Sequence, residues 1–105
     1  MPIFAAVSRK KAMTDVQKNE IARFRDGDRV AFEALYQRYW RKVLSFTRLY
    51  IKDSYEQEEV LQQVFIRLWD NRTKVDAGKD FEGFLFIITR NLIFNRARHS
   101  FTAES

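Results

Sequence analysis

The stretch EEVLQQVFIRLW, residues 58–69, decides how this chain folds. Its apolar residues come in adjacent pairs, Val60 with Leu61, Val64 with Phe65 and Leu68 with Trp69. At about 100° per residue they fill one half of a helical wheel. The opposite half carries Glu59, Gln62, Gln63 and Asp70, with Ile66 in its middle. Glu59, Gln62 and Ile66 stand at i, i+3 and i+7, a continuous stripe. Two readings fit it. One is a solvated face with a stray isoleucine, since exposed isoleucines are common. The other is a docking stripe, with a carboxylate to steer, an amide to hydrogen-bond and an apolar residue to bury at the centre.

Working outward, the rest of the chain also reads as helix. It has one proline, Pro2, and three glycines, Gly27, Gly78 and Gly83, and no run alternates like a strand. A first, shorter helix is predicted over 14–25, capped by Thr14 or Asp15. RDGD breaks it at residues 25–28. A second runs from about 28 to 52. Phe32, Leu35, Tyr36, Tyr39, Val43, Phe46 and Tyr50 form its core stripe, and Arg38, Arg41, Lys42, Arg48 and Lys52 fall on its back. Ser54 and Gln57 have capping-box spacing, which starts the third helix at 55 and carries it to 71. Residues 72–80, RTKVDAGKD, read as a loop, and Asp80 can cap a fourth helix over 81–98. The expected fold is all-α, a compact bundle of three long helices and a shorter N-terminal one. Residues 1–12 read as a flexible leader, 13–99 as the domain and 100–105 as the start of a linker.

The chain has 105 residues, 46% hydrophobic and 31% charged, which is one domain's worth of an ordinary folded composition. Ten Phe, four Tyr and two Trp supply a core without staples. No cysteine is present, which excludes disulfides and cysteine-ligated zinc and suits a reducing cytoplasm. No stretch approaches the roughly 20 apolar residues that span a bilayer. The net charge of +5 favours polyanion partners, and its arrangement is more telling than its size. Asp53, Glu56, Glu58 and Glu59 open the third helix with no base before Arg67, whereas the fourth carries Arg90, Arg96 and Arg98 and no acid after Glu82. An acidic and a basic patch on one small domain imply two different partners.

Catalysis finds no foothold. His99 is alone, and no Ser/His/Asp set, metal-spaced cluster or phosphate-cradling glycine loop appears, so no catalytic residue, metal or cofactor is expected. Glu58 and Glu59 are adjacent on a helix and diverge by about 100°, so they cannot share a substrate atom. The fourth helix has a core side, Phe81, Phe84, Leu85, Ile88 and Leu92, and a second side with Phe86, Ile93 and Phe94 around Arg90. Asn91, Asn95 and Arg98 form an edge. This helix is either packed on two sides or a surface for unpaired bases, since Arg and Asn contact bases and phosphates and aromatic rings stack on them. The loop before it, with Arg72, Lys74 and Lys79, is basic and able to close over a flipped base.

DRVAFEALYQRY, EEVLQQVFIRLW and FLFIITRNLIFNRAR follow one another here as in bacterial extracytoplasmic-function (ECF) sigma factors. The resemblance covers residues 26–99, the region two of those proteins. The sequence style is similar to that of the iron-uptake and polysaccharide-uptake type common in Bacteroidetes. In the family, the third helix docks on the clamp helices of the RNA polymerase β′ subunit. The resemblance assigns that role to Glu59 and Gln62, with Glu58, Gln63 and Ile66 beside them. The family's fourth helix and preceding loop bind the non-template strand of the promoter −10 element. Carried across, that implies Arg72, Lys74, Lys79, Arg90, Asn91, Asn95 and Arg98. Glu59 stands where the family usually has Asp, and Asn95 where it often has Asp. Complete members carry a further helical region four that reads the −35 element. The implied function is a transcription-initiation module, with an anti-sigma factor as a further partner. The competing readings are a helical adaptor that binds proteins only and a regulator that binds duplex DNA. The nine-residue loop before the fourth helix argues against the second, which needs a short turn between two helices.

Overall fold

The structure, a computed structural model, describes residues 14–76 and 80–104, with side chains as far as residue 96. Four helices follow in order: α1 (Asp15–Arg25), α2 (Arg29–Arg48), α3 (Ser54–Asp70) and α4 (Phe81–Glu104). A 3-10 turn, Arg72–Lys74, follows α3, and no strand occurs among the described residues. The expected all-α bundle is what forms.

Each helix start has a local cause. Thr14 and Gln17 make a capping box on α1, with Gln17 N donating to Thr14 Oγ1 at 3.1 Å and Thr14 N to Gln17 Oε1 at 2.9 Å. Between α1 and α2 the backbone turns through Gly27, whose φ of 95° is readily adopted only without a side chain. Asp28 then accepts from Val30 N at 2.9 Å and caps α2. Asp80 accepts from Gly83 N at 3.0 Å, as expected for the cap of α4. A Cβ on Gly83 would lie 2.7 Å from the Asp80 carboxylate, so a side chain there would force that carboxylate to shift.

Three boundaries differ from the sequence reading. The second helix stops at Arg48, not near 52. Tyr50 N and Ile51 N both donate to the Thr47 carbonyl, at 3.0 and 2.9 Å, which turns the chain. Tyr50 is thereby carried out of the core stripe to the surface, while Ile51 returns to pack on the core. The cap of α3 is Asp53, which accepts from Glu56 N at 2.9 Å, and the Ser54–Gln57 capping box does not form. Gln57 is buried instead, and its Nε2 donates to the carbonyls of Ile51 at 2.8 Å and Lys52 at 3.3 Å. One amide thus satisfies the connection between two helices. Finally, α4 runs to Glu104, six residues past its expected end.

α3 lies at the centre, packed against both α2 and α4. Val60, Leu61, Val64, Phe65 and Leu68 are all buried, the apolar half-wheel that the sequence pattern predicted. Rings tie this helix to its neighbours. Phe32 meets Trp69 at 5.2 Å and Phe65 at 6.4 Å, Tyr36 meets Phe65 at 4.7 Å, and Phe24 stacks on Phe32 at 5.8 Å. Tyr39 against Phe81, at 5.3 Å, joins α2 to α4. Two buried hydroxyls are satisfied within their own helices, Thr47 to the Val43 carbonyl and Thr89 to the Leu85 carbonyl. Phe65→Ala should cost about 3–5 kcal/mol as a core truncation. Asp53→Ala should cost about 1 kcal/mol as a lost cap, and Ser54→Ala should be close to neutral. Urea denaturation of the three variants checks both the orientation of α3 and the identity of its cap.

Candidate functional site

With its apolar half buried, α3 has one face left for contact. Glu58, Gln62, Gln63 and Ile66 all lie on the surface, and Ile66 is 51% exposed. Beside the stripe, α2 and α3 leave an open groove of about 730 Å3, floored by Phe32, Tyr36, Phe65 and Trp69 and edged by Gln62 and Ile66. The isoleucine among amides therefore stands at the lip of an apolar trough, not on a plain polar surface.

Glu59 does not stand apart as the sequence reading expected. Its Oε1 lies 3.3 Å from Arg96 Nη2 on α4, with about a third of each side chain or more exposed. It also accepts a hydrogen bond from the Tyr55 hydroxyl one turn earlier, which raises the Tyr55 pKa above its ordinary value near 10. The acidic and basic patches are consequently not separate: Glu59 and Arg96 join them across the α3–α4 seam. Neither Arg96 nor Tyr55 emerged as a site residue from sequence. Residues 37 apart, on different helices, give no local signal of their contact.

The outer arc of α4 exposes Phe86, Ile87, Arg90, Asn91 and Phe94, and Asn95 lies at its edge. Arg90 Nη2 sits 3.5 Å from Asn91 Oδ1, so the two polar heads are neighbours. Ile93, expected on this face, is instead 2% exposed and belongs to the core. It follows Leu85 and Thr89 at four-residue steps, and that row packs inward. The helix is therefore one-sided where described, with its apolar residues distributed between core and surface.

The loop is anchored more firmly than its composition suggested. Val75 is buried at 2% exposure and plugs the core beneath it. The Arg72 guanidinium lies 4.3 Å from the Trp69 ring centre, and its Nη1 donates to the Trp69 carbonyl at 2.9 Å. Arg72 thus closes the C-terminal end of α3, a role that its place in a basic loop did not suggest. From α1, Arg25 Nη2 reaches the Thr73 carbonyl at 3.4 Å. Lys74 is exposed. Lys79 and the side chain of Arg98 lie outside the described residues. Among those described, no cluster of side chains is arranged to hold a metal ion, and no helix is long and apolar enough to cross a membrane.

Residues 35–100 match the sigma-70 region 2 family. The chain belongs to that family. Its region 2 is 31% identical over 77 residues to the RNA polymerase sigma factor CarQ of Myxococcus xanthus, an alignment covering 73% of this chain and 44% of CarQ. It is 28% identical over 81 residues to the ECF RNA polymerase sigma factor SigW of Bacillus subtilis (strain 168), covering 77% of this chain and 43% of SigW. Thus it spans less than half the length of these curated relatives. Among solved structures, region 2 here is similar to an engineered region 2 of sigmaE determined by NMR in complex with GTAAAA, with a TM-score of 0.74 and 26% identity, covering 83% of this chain and 93% of that one.

The bond from Tyr55 to Glu59 gives a direct check on the outer face of α3. Tyr55 should ionise above the ordinary tyrosine range, and Glu59→Gln, which removes the neighbouring charge, should bring its titration back down. Tyr39, raised first by burial and next by Glu82, should titrate as before. An NMR titration of the tyrosine ring carbons reads both in one sample.

Proposed function

We propose that this chain is the region-two module of an ECF sigma factor, which docks on RNA polymerase and captures melted promoter DNA. The outer stripe of α3 meets the clamp helices of the β′ subunit. Gln62 and Gln63 offer amides, Ile66 is the apolar centre, and Glu58 and Glu59 supply the steering charge. The face of α4 holds the non-template strand of the −10 element, with Arg90, Asn91, Asn95 and Arg98 contacting it and Lys74 and Lys79 at the loop. Opening a duplex costs a few kcal/mol per unstacked base, and binding the exposed bases offsets that cost.

The observation that carries this reading is the exposure of two chemically different faces on one shared core. Gln62 and Ile66 lie open on α3, and Arg90 and Asn91 lie open on α4, in a chain of the sigma-70 region 2 family. The bound GTAAAA of the similar sigmaE region 2 supports the strand-binding half. In this reading residues 13–99 are the domain, 100–105 lead toward a separate region four that reads the −35 element, and the protein works in the cytoplasm as a binding factor, not an enzyme. The sequence style supports an iron- or polysaccharide-uptake sigma factor of the Bacteroidetes kind, and an anti-sigma factor is a further partner proposed on the family resemblance alone.

Gln62→Ala with Ile66→Asp should reduce pull-down of the β′ clamp helices about tenfold or more, with the helical circular-dichroism signal unchanged. Unchanged capture would overturn the docking face. Asn91→Ala should weaken binding of a −10-like single strand, and wild-type affinity should fall with salt as counterions are released. A preference for duplex would instead indicate a duplex-DNA regulator. Absence of strand binding even in the polymerase complex would indicate a protein-only adaptor.

A further inference from the structure

The basic back of α2 and the turn after it belong to neither of these faces. From residue 34 to residue 52 there are five cations, Arg38, Arg41, Lys42, Arg48 and Lys52, and no acid. The structure divides them. Arg38 pairs with Glu20 at 2.7 Å, and Lys42 pairs with Glu82. Arg41, Arg48 and Lys52 are exposed and have no carboxylate partner among the described residues. Arg41 lies 4.8 Å from the Trp40 ring centre, which steadies its side chain along the helix.

Next to Arg41 is an aromatic seam. Phe46 of α2 and Phe86 of α4 meet at 5.2 Å, and Tyr50 packs edge-on against Phe46 at 5.4 Å. A shallow groove opens over the pair, walled by Arg41, Lys42, Ser45 and Leu49. Phe86 is 38% exposed and Leu49 69%. On the wheel of α4, Arg90 follows Phe86 by one turn and lies between it and Asn91, so the groove continues the face assigned above to the strand.

We propose that a single strand held on α4 continues across this seam onto α2, with an unpaired base against Phe46 and Phe86 and a phosphate at Arg41. The inference rests on the strand-binding reading of α4 and extends it to a second helix. The occupant is argued from charge and shape. An accessible ring, Phe86, between Arg41 on α2 and Arg90 on α4, two cations without a carboxylate partner among the described residues, fits a polyanion with flat π faces. An apolar protein partner would leave those cations without counter-charge.

NMR titration of the isotope-labelled chain tests this. The probes are a −10-like hexanucleotide and two dodecanucleotides, each extending it by six nucleotides at one end. One dodecamer should perturb the amides of Ser45, Phe46 and Leu49 in addition to those of α4, and should bind more tightly than the hexamer. Arg41→Gln should lower the salt slope of that dodecamer by about 0.7, one phosphate contact on a single strand. Phe86→Ala should weaken it roughly fivefold or more by loss of stacking, and Arg41→Gln keeps the test decisive if that variant fails to fold. Perturbation confined to α4 and its loop for all three strands, with Arg41→Gln neutral, would overturn the extension and leave the α4 reading intact. No perturbation on α4 would remove both. Perturbation of Ser45 and Leu49 by isolated β′ clamp helices, with none from DNA, would make the seam a protein surface and also overturn it.

Discussion

The burial of one half of α3 is the constraint on which the rest depends. Val60, Leu61, Val64, Phe65 and Leu68 are enclosed by α2 on one side and α4 on the other. A helix held that way cannot rotate without exposing several large apolar side chains, each worth about 1.5–3 kcal/mol of burial. Its remaining stripe is therefore fixed in direction. Gln62 and Ile66 are presented by the core, not by a loop, and a partner meets them already oriented. The same packing fixes α4, because the side chains that cover α3 are one face of α4 and leave the other outward.

The seam between these helices has its own electrostatics. Glu59 and Arg96 are both partly exposed, so their attraction is screened and contributes modestly to stability. Its effect is on placement. The pair holds a carboxylate of the acidic stripe against the basic helix, and Tyr55 adds a hydrogen bond to it from one turn earlier on α3. A ligand that competes for Glu59 must replace both partners. Any interaction of this carboxylate with polymerase is thus weighed against an internal ion pair, whereas Gln62 and Ile66 carry no such competition from a charged partner.

Period-based reading worked where one period had one cause. The half-wheel of α3 was legible because a central helix must alternate core and surface every three to four residues. The caps at Thr14 and Asp80 were legible because they are local. The cap of α3 was not, since Asp53 and Ser54 are both good capping residues and spacing alone favoured the wrong one. What separated them was tertiary: Gln57, needed by a Ser54 capping box, was required inside to satisfy the carbonyls of Ile51 and Lys52. Ile93 and Phe94 show the same limit. Both are apolar and adjacent on α4, and only the position of the neighbouring helices decides that one is enclosed and the other open.

The site residues divide along the same line. Gln62, Ile66, Arg90 and Asn91 could be placed on surfaces from the wheel alone. Arg72 could not, because a basic residue in a loop looks like a ligand contact until its neighbours are known. Here Trp69, at the end of α3, provides a ring face and a helix-terminal carbonyl within reach of one guanidinium. Arginine can use both at once, by stacking and by donating, which lysine cannot do as well. The loop is consequently tied down at its start by Arg72 and Val75 and by Arg25 from α1. A rigid entry to the loop serves strand capture better than a loose one, since ordering fewer residues on binding costs less conformational entropy.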